Sequence, residues 1–263
     1  MAGPYHGKAG NVDFDTGVEV VNLQSWSLNA IGETTDASAM ADAWAIHLAG
    51  LTDFTATCEG LSKKALDTTV IIGTDASLDL QVDSTDGPHF EANAILASLT
   101  ETVNYENHGI ISYSFEGNDV AGIVFSATGG TAATGSTDAF HGKIMKAEHG
   151  AGPTEFTSIR EWTITLTCST ADTTAAHATN AGRTRLAGIL SATATVTCVA
   201  GAAEQVAKGT VGNLILWRTQ TVGDGKYSGS SICTGGTSSV DRDGTSLRTY
   251  TFVYTSTVDL AVA

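Results

Sequence analysis

The sequence predicts an all-β protein with minor α content, organised as two tandem β-sandwich or partial-barrel units, each with a short flanking helix. Three observations lead there. Charged residues make up only 16% of a chain rich in Gly, Thr, Ser and Val, a balance that favours pleated, half-buried surfaces over helical bundles. Short segments alternate apolar and polar residues between turn-forming clusters, the period of a strand with one wet face. The two halves also repeat each other in order, so the 263 residues hold two copies of one unit.

The repeat is read from matched segments. "HGK" starts at His6 and again at His141, 135 residues on, and Trp26 in "SWSLNA" answers Trp162 in "EWTITL" at an offset of 136. "LAGLTDFTAT" from Leu48 answers "LAGILSATAT" from Leu186 at 138, and "LDL" from Leu78 answers "LIL" from Leu214 at 136. The run 90–95 answers 227–232, and Tyr113 with Phe115 answers Tyr250 with Phe252, both at 137. Matches in one order with nearly constant offset mark a duplication. Between the copies, "TGGTAATGSTD" at 128–138 has the composition of a flexible tether. The units are therefore placed at 1–127 and 138–263, with a linker at 128–137.

Within the first unit, strands are expected at 17–30, 52–59, 76–84, 90–100 and 109–117, with "TDGP" at 85–88 and "ENHG" at 106–109 as turns. Residues 36–51 resist this scheme. Met40, Ala43, Trp44, His47, Leu48 and Leu51 share a helical face behind Asp36 as a cap. The counterpart "DTTAAHATNAGRTRLAG" has no apolar stripe, so helix and ordered loop both stay open. "GLSKKAL" and "AAEQVAK" occupy matching places and are each expected to form one short helix.

The formal charge of −15 is uneven: residues 1–137 carry 18 Asp and Glu against three Lys, while 138–263 carry 10 acids and 10 bases. Such a chain does not neutralise phosphates or release their counterions, which argues against tight nucleic-acid binding. The opening "MAGPYHGKAGN" has no apolar signal core and no stretch approaches a membrane span, so a chain made in a cytoplasm with no membrane segment is expected. Cys58, Cys168, Cys198 and Cys233 fall at no metal-ligand spacing. Buried thiols are the leading reading, with a Cys168–Cys198 disulfide as the alternative.

No catalytic, cofactor or metal motif emerges. Gly7-Lys8 and Gly142-Lys143 lack the remainder of a phosphate loop. His141 and His149 flank Glu148 too loosely for zinc and are expected to face solvent. "DRDGT" at 241–245, and Asp13 with Asp15 before Gly17, begin like a calcium loop but lack its later ligands. No enzyme is expected.

A Trp-bearing strand followed by a Thr/Asp-rich loop ("SWSLNAIGETTDAS"), a "GLTDFTAT" strand and a closing strand ending "YSFEGN" resemble the tail tube (major tail) proteins of long-tailed bacteriophages. Both copies carry the likeness, although the second closes "YTFVYTS", without Glu-Gly. The resemblance implies a β-sandwich with a flanking helix, assembled into six-membered rings that stack into a hollow conduit for DNA. For a duplicated chain it implies trimeric rings with pseudo-six-fold symmetry. It also implies tape-measure, terminator and tip proteins as partners, transient passage of DNA without specific binding, and a place in the virion tail after assembly in the bacterial cytoplasm. Asp79 and Asp83 on the 76–84 strand and Glu91 on the next are then lumen-facing candidates, otherwise readable as a solvated strand face. The annular reading rests on a duplicated unit, and one undivided core, or two halves of unrelated topology, would overturn it together with the conduit role. A tandem β-sandwich binding module (an adhesin or carbohydrate binder) and the tube of a phage-derived injection or secretion system are the alternatives.

Overall fold

The computed structural model describes residues 10–15, 18–19, 22–39, 44–64, 70–82, 87–127, 139–175, 181–201, 205–220, 224–240 and 244–262. The expected linker at 128–137, His6 and Asp83 lie outside them. The fold is all-β: among the described residues sixteen strands join in one connected, antiparallel sheet. In the first half they are β1 (Asn11–Phe14), β2 (Val18–Glu19), β3 (Asn22–Asp36), β4 (His47–Leu61), β5 (Asp75–Gln81), β6 (His89–Asn104), β7 (Ile110–Gly117) and β8 (Val124–Ser126). The second half has β9 (Lys146–Gly150), β10 (Thr154–Glu155), β11 (Ile159–Asp172), β12 (Arg185–Val199), β13 (Val211–Trp217), β14 (Gly225–Ser239), β15 (Leu247–Tyr254) and β16 (Asp259–Val262).

The pairing pattern is written twice. In the first half β1 pairs β2 and β5, β5 pairs β6, β6 pairs β7 and β8, and β4 joins β7 to β3. In the second, β9 pairs β10 and β13, β13 pairs β14, β14 pairs β15 and β16, and β12 joins β15 to β11. Irregularities recur with the strands: the break at Leu96/Ser98 of β6 answers the one at Cys233/Gly235 of β14. Gly73 and Gly209 both take a positive φ, 82° and 84°, and each donates its N–H across to the neighbouring long strand, at Leu96 and Cys233. The left-handed conformation is what fixes Gly at these two equivalent turns.

Alternation places the core. Phe54, Ala56 and Cys58 of β4, Ile111, Tyr113 and Phe115 of β7, and Leu78 and Leu80 of β5 point to one side and are buried, as a strand with one wet face requires. Phe14 meets Phe115 at 5.2 Å. In the second half Val196, Tyr250, Phe252, Leu214 and Leu216 fill the same positions, and Trp162 of β11 is buried edge-on to Tyr227 at 6.2 Å. The buried side chains form one continuous cluster, not two separate cores. The reason is a seam: β6 pairs β11 from Glu161↔Asn104 to Thr167↔Ser98, which sets Leu99 and Val103 beside Trp162, Ile164 and Leu166.

Several expectations are corrected. Residues 36–51 form no helix among their described positions; Asp36, Thr35 and Thr34 pair with His47, Leu48 and Ala49, so this stretch is the outer end of a long hairpin. Cross-strand bonding to the Thr-rich end of β3 satisfies the backbone that a helix would otherwise have to satisfy, and tertiary pairing overrides the periodicity. Gly60 and Leu61 belong to β4 and the described part of 202–208 is irregular, so neither short helix appears there. The described helical content is a single 3₁₀ turn, Gly142–Ile144, where His141 Nδ1 accepts from the Lys143 N–H. His149 is buried, not solvent-facing, and packs 4.9 Å from Phe252. The cysteines follow the leading reading: all four are buried free thiols, and Cys168 and Cys198 form no disulfide.

Candidate functional site

Eight strands form a continuous ribbon, in the order β3-β4-β7-β6-β11-β12-β15-β14. Its non-core face is a field of hydroxyls. One row runs Ser27, Thr57, Ser114, Ser98, Thr167, Ser191 and the next Ser25, Glu59, Ser112, Thr100, Thr165, Thr193. Hydroxyl pairs bridge strands at 3.0 Å (Thr102 to Thr163), 2.8 Å (Ser27 to Thr57) and 2.7 Å (Thr167 to Ser191). Glu59 is the charge on these two rows, with Glu116 one row beyond the first and Glu161 two rows beyond the second.

Both ends of the ribbon are open among the described residues. Nothing pairs with the outer edge of β3 over 25–31, and beyond Cys233 nothing pairs with the edge of β14 that faces away from β15. These edges are the two halves of a contact the chain already makes once. The seam edge of β11 corresponds to that of β3, and Ser98–Val103 of β6 corresponds to Gly235–Ser239 of β14 and Val240 just after it. Trp162 and Trp26 confirm the equivalence locally: each indole N–H donates to a strand carbonyl, Trp217 at 3.2 Å and Gln81 at 3.1 Å. Yet Trp162 is 0% exposed, while Trp26 is only half-buried, because β6 covers one and no strand covers the other. Val240, counterpart of buried Val103, is 81% exposed. Unpaired, flat strand edges with apolar residues are templates for pairing.

The seam inside the chain is ionic. Glu101 and Tyr227 are both 0% exposed, and Arg218 Nη2 and Nε donate to Glu101 Oε2 at 2.7 and 3.1 Å. The Tyr227 hydroxyl donates to the same oxygen, and Arg218 Nη1 reaches the Lys63 carbonyl at 2.7 Å. Burial and the Glu101 charge push the Tyr227 phenol well above its usual range. All six arginines lie in the second half, and Arg160, Arg183, Arg185 and Arg218 each reach a first-half acid. Part of the charge asymmetry therefore serves this seam. At the open edges the counterparts of Glu101, Arg218 and Tyr227 are Ser238, Val82 and Phe90, which carry no charge.

The lumen-facing candidates lie elsewhere. Asp79 sits on β5, half-buried, and accepts from Gln81 Nε2 at 2.9 Å; Glu91 is exposed on the part of β6 that pairs β5 and β8, 4.0 Å from His89. Register brings them together with Asp13 in one row, Asp13↔Asp79↔Glu91. Burial raises the Asp13 carboxyl, its Asn11 bond lowers it, and the Asp79 charge raises it again. Asp83 is outside the described residues. What the sequence reading missed, the hydroxyl face and its open edges, had a visible signal in "TITLTC", "TATVTC" and "TYTF", where Thr holds every second position. Among the described residues no helix is long and apolar enough to cross a membrane, and no group of His, Cys, Asp and Glu is suited to a metal. No protein-family model matches the chain, and no curated protein does.

Proposed function

We propose that the chain is a structural subunit of a phage-type tail tube, in which copies join edge to edge into a closed ring and rings stack into a conduit. The observation that carries this is the β6–β11 seam together with its two unfilled counterparts. A contact that one half makes to the other, and that the outer edges are shaped to make again, propagates by a fixed rotation and closes when the rotation returns on itself. Three chains then supply six equivalent positions, as the resemblance implies. The single continuous core counts against this reading, which stands instead on the pairing pattern written twice and on the two open counterparts of the seam.

The register follows from the seam. Trp26 of one chain lies opposite Val240 of the next, Ser27 opposite Ser239 and Asn29 opposite Thr237, and the added strand gives backbone bonds while Trp26 and Val240 gain cover. The hydroxyl face becomes the bore. Its Ser, Thr and occasional Glu offer DNA hydrogen-bonding groups without the cations that would hold phosphates by counterion release. Tape-measure, terminator and tip proteins at the tube ends, and a location in the virion tail, come with this reading.

Cysteines at Ser27 and Ser239 test it, since the equivalent Thr163 and Thr102 side chains already touch. Mild oxidation of the concentrated double variant gives disulfide-linked species ending at three chains. Linkage absent at every concentration, with the fold intact, overturns the proposal.

A further inference from the structure

The chain also makes a second contact between its halves, at the base of the hairpin arms. The segment 181–185, leading into β12, lies on the first half. The Ala181 and Gly182 N–H groups both donate to the Val120 carbonyl at 2.8 and 2.9 Å, and the Thr52 N–H donates to the Ala181 carbonyl at 2.7 Å. A Cβ at Gly182 would stand 2.0 Å from the Asp119 carbonyl oxygen, so this site has no room for a side chain. The arm is held instead by charge: Arg183 pairs with Glu33 and Asp53, and Arg185 with Asp53 and Glu116.

The equivalent arm and the equivalent site both exist in the other halves, and both have changed character. On the arm, Gly182, Arg183 and Arg185 become Trp44, Ala45 and His47, by the offset of 138 that aligns Leu186 with Leu48. Trp44 is 86% exposed, with Ile46 and Leu48 exposed beside it. At the site, Thr52, Asp53, Asp119 and Val120 become Leu190, Ser191, Ser256 and Thr257. There the surface opens into a pocket of about 440 Å³, whose walls include Leu166, Leu190, Tyr254 and Val258. A charged arm meets a charged, full site within the chain. An arm with exposed apolar side chains remains in the first half, and in the second a pocket whose apolar walls are edged by Thr and Ser hydroxyls.

We infer that this pocket receives Trp44 of a second copy of the chain, as the anchor of the contact between subunits. The inference rests on the proposed edge-to-edge assembly, which brings the arm of one chain to the second half of the next. An exposed indole supplies the large, rigid apolar area from which such anchors are made. The chemical switch makes the two contacts mutually exclusive. Arg183 and Arg185 would lose their carboxylates at the Leu190 site, and Trp44 would clash with the Asp119 backbone at the Thr52 site. Ionic contact is thus confined within chains and apolar contact between them.

The test compares the full-length chain with Trp44→Asp and Trp44→Phe variants by sedimentation over a concentration series. The Asp variant is expected to fold as the parent, by circular dichroism of dilute chains, and to need roughly ten-fold or more higher concentration for half-assembly; the Phe variant recovers most of that loss. Parent-like assembly of the Asp variant, while the Ser27/Ser239 cysteine pair still cross-links chains, overturns the pocket's role and leaves the edge-to-edge reading standing. Failure of that cross-link in an otherwise unchanged chain overturns both.

Discussion

Glu101 of β6 and Arg218, just past β13, meet at 2.7 Å with side chains almost wholly withdrawn from water, one from each half of the chain. Removing one partner of such a pair strands a buried charge. Glu101→Gln is expected to cost about 3–5 kcal/mol in urea unfolding. Glu101→Leu with Arg218→Met, which leaves no charge behind, should recover most of the loss, because a buried ion pair offsets its own desolvation only narrowly. A double variant no more stable than Glu101→Gln would show that the pair holds the seam by more than charge balance.

The two indoles give a second prediction. Trp162→Ala, at a covered position, is expected to cost about 3–5 kcal/mol in the dilute chain. Trp26→Ala should cost less than about 2 kcal/mol, because Trp26 keeps much of its surface in water until an edge pairs with it. Equal costs would mean that the β3 edge is already covered.

The distribution of legible and hidden features has a physical basis. Trp26, Trp162 and the alternating aromatics of β7 and β15 showed the repeat and the β class, because core positions of a strand are written directly as a period of two. The hairpin arms were not legible. Trp44, His47 and Leu48 have helical spacing, yet His47 and Leu48 pair with Asp36 and Thr35 as strand and Trp44 lies three residues before that strand begins. Nor could the sequence show that His149 is buried, since that depends on Phe252, a hundred positions away. Charge in the sequence points to Asp79 and Glu91, which share a row with Asp13, whereas the ribbon's wet face is marked by uncharged Thr and Ser.

His149 supplies a pH test. Burial holds its imidazole below the ordinary value of 6.5, so the unfolded chain takes up a proton that the folded chain refuses. Stability is therefore full above about pH 6.5 and falls as the pH drops from there towards the folded value, by up to about 1.4 kcal/mol per pH unit. His149→Phe should remove that part of the acid loss. Parallel urea midpoints for parent and variant between about pH 7 and 5 would contradict it.

Cysteine reactivity is the fourth. Burial pushes the Cys58 thiol up to about 12 and the Cys198 thiol up to about 11, and all four cysteines are buried. A thiol reagent at about pH 8 should label none of them within minutes in the folded chain and all of them in denaturant. Rapid labelling of one site under native conditions would show local opening there.

Cryo-electron microscopy of the full-length chain at high concentration tests the edge-to-edge assembly most directly. The expected image is a ring of three chains with a six-fold repeat of the sheet, in which β3 of one chain runs antiparallel to β14 of the next with Trp26 opposite Val240. Folded monomers, or oligomers that leave both of these edges in solvent, would contradict it.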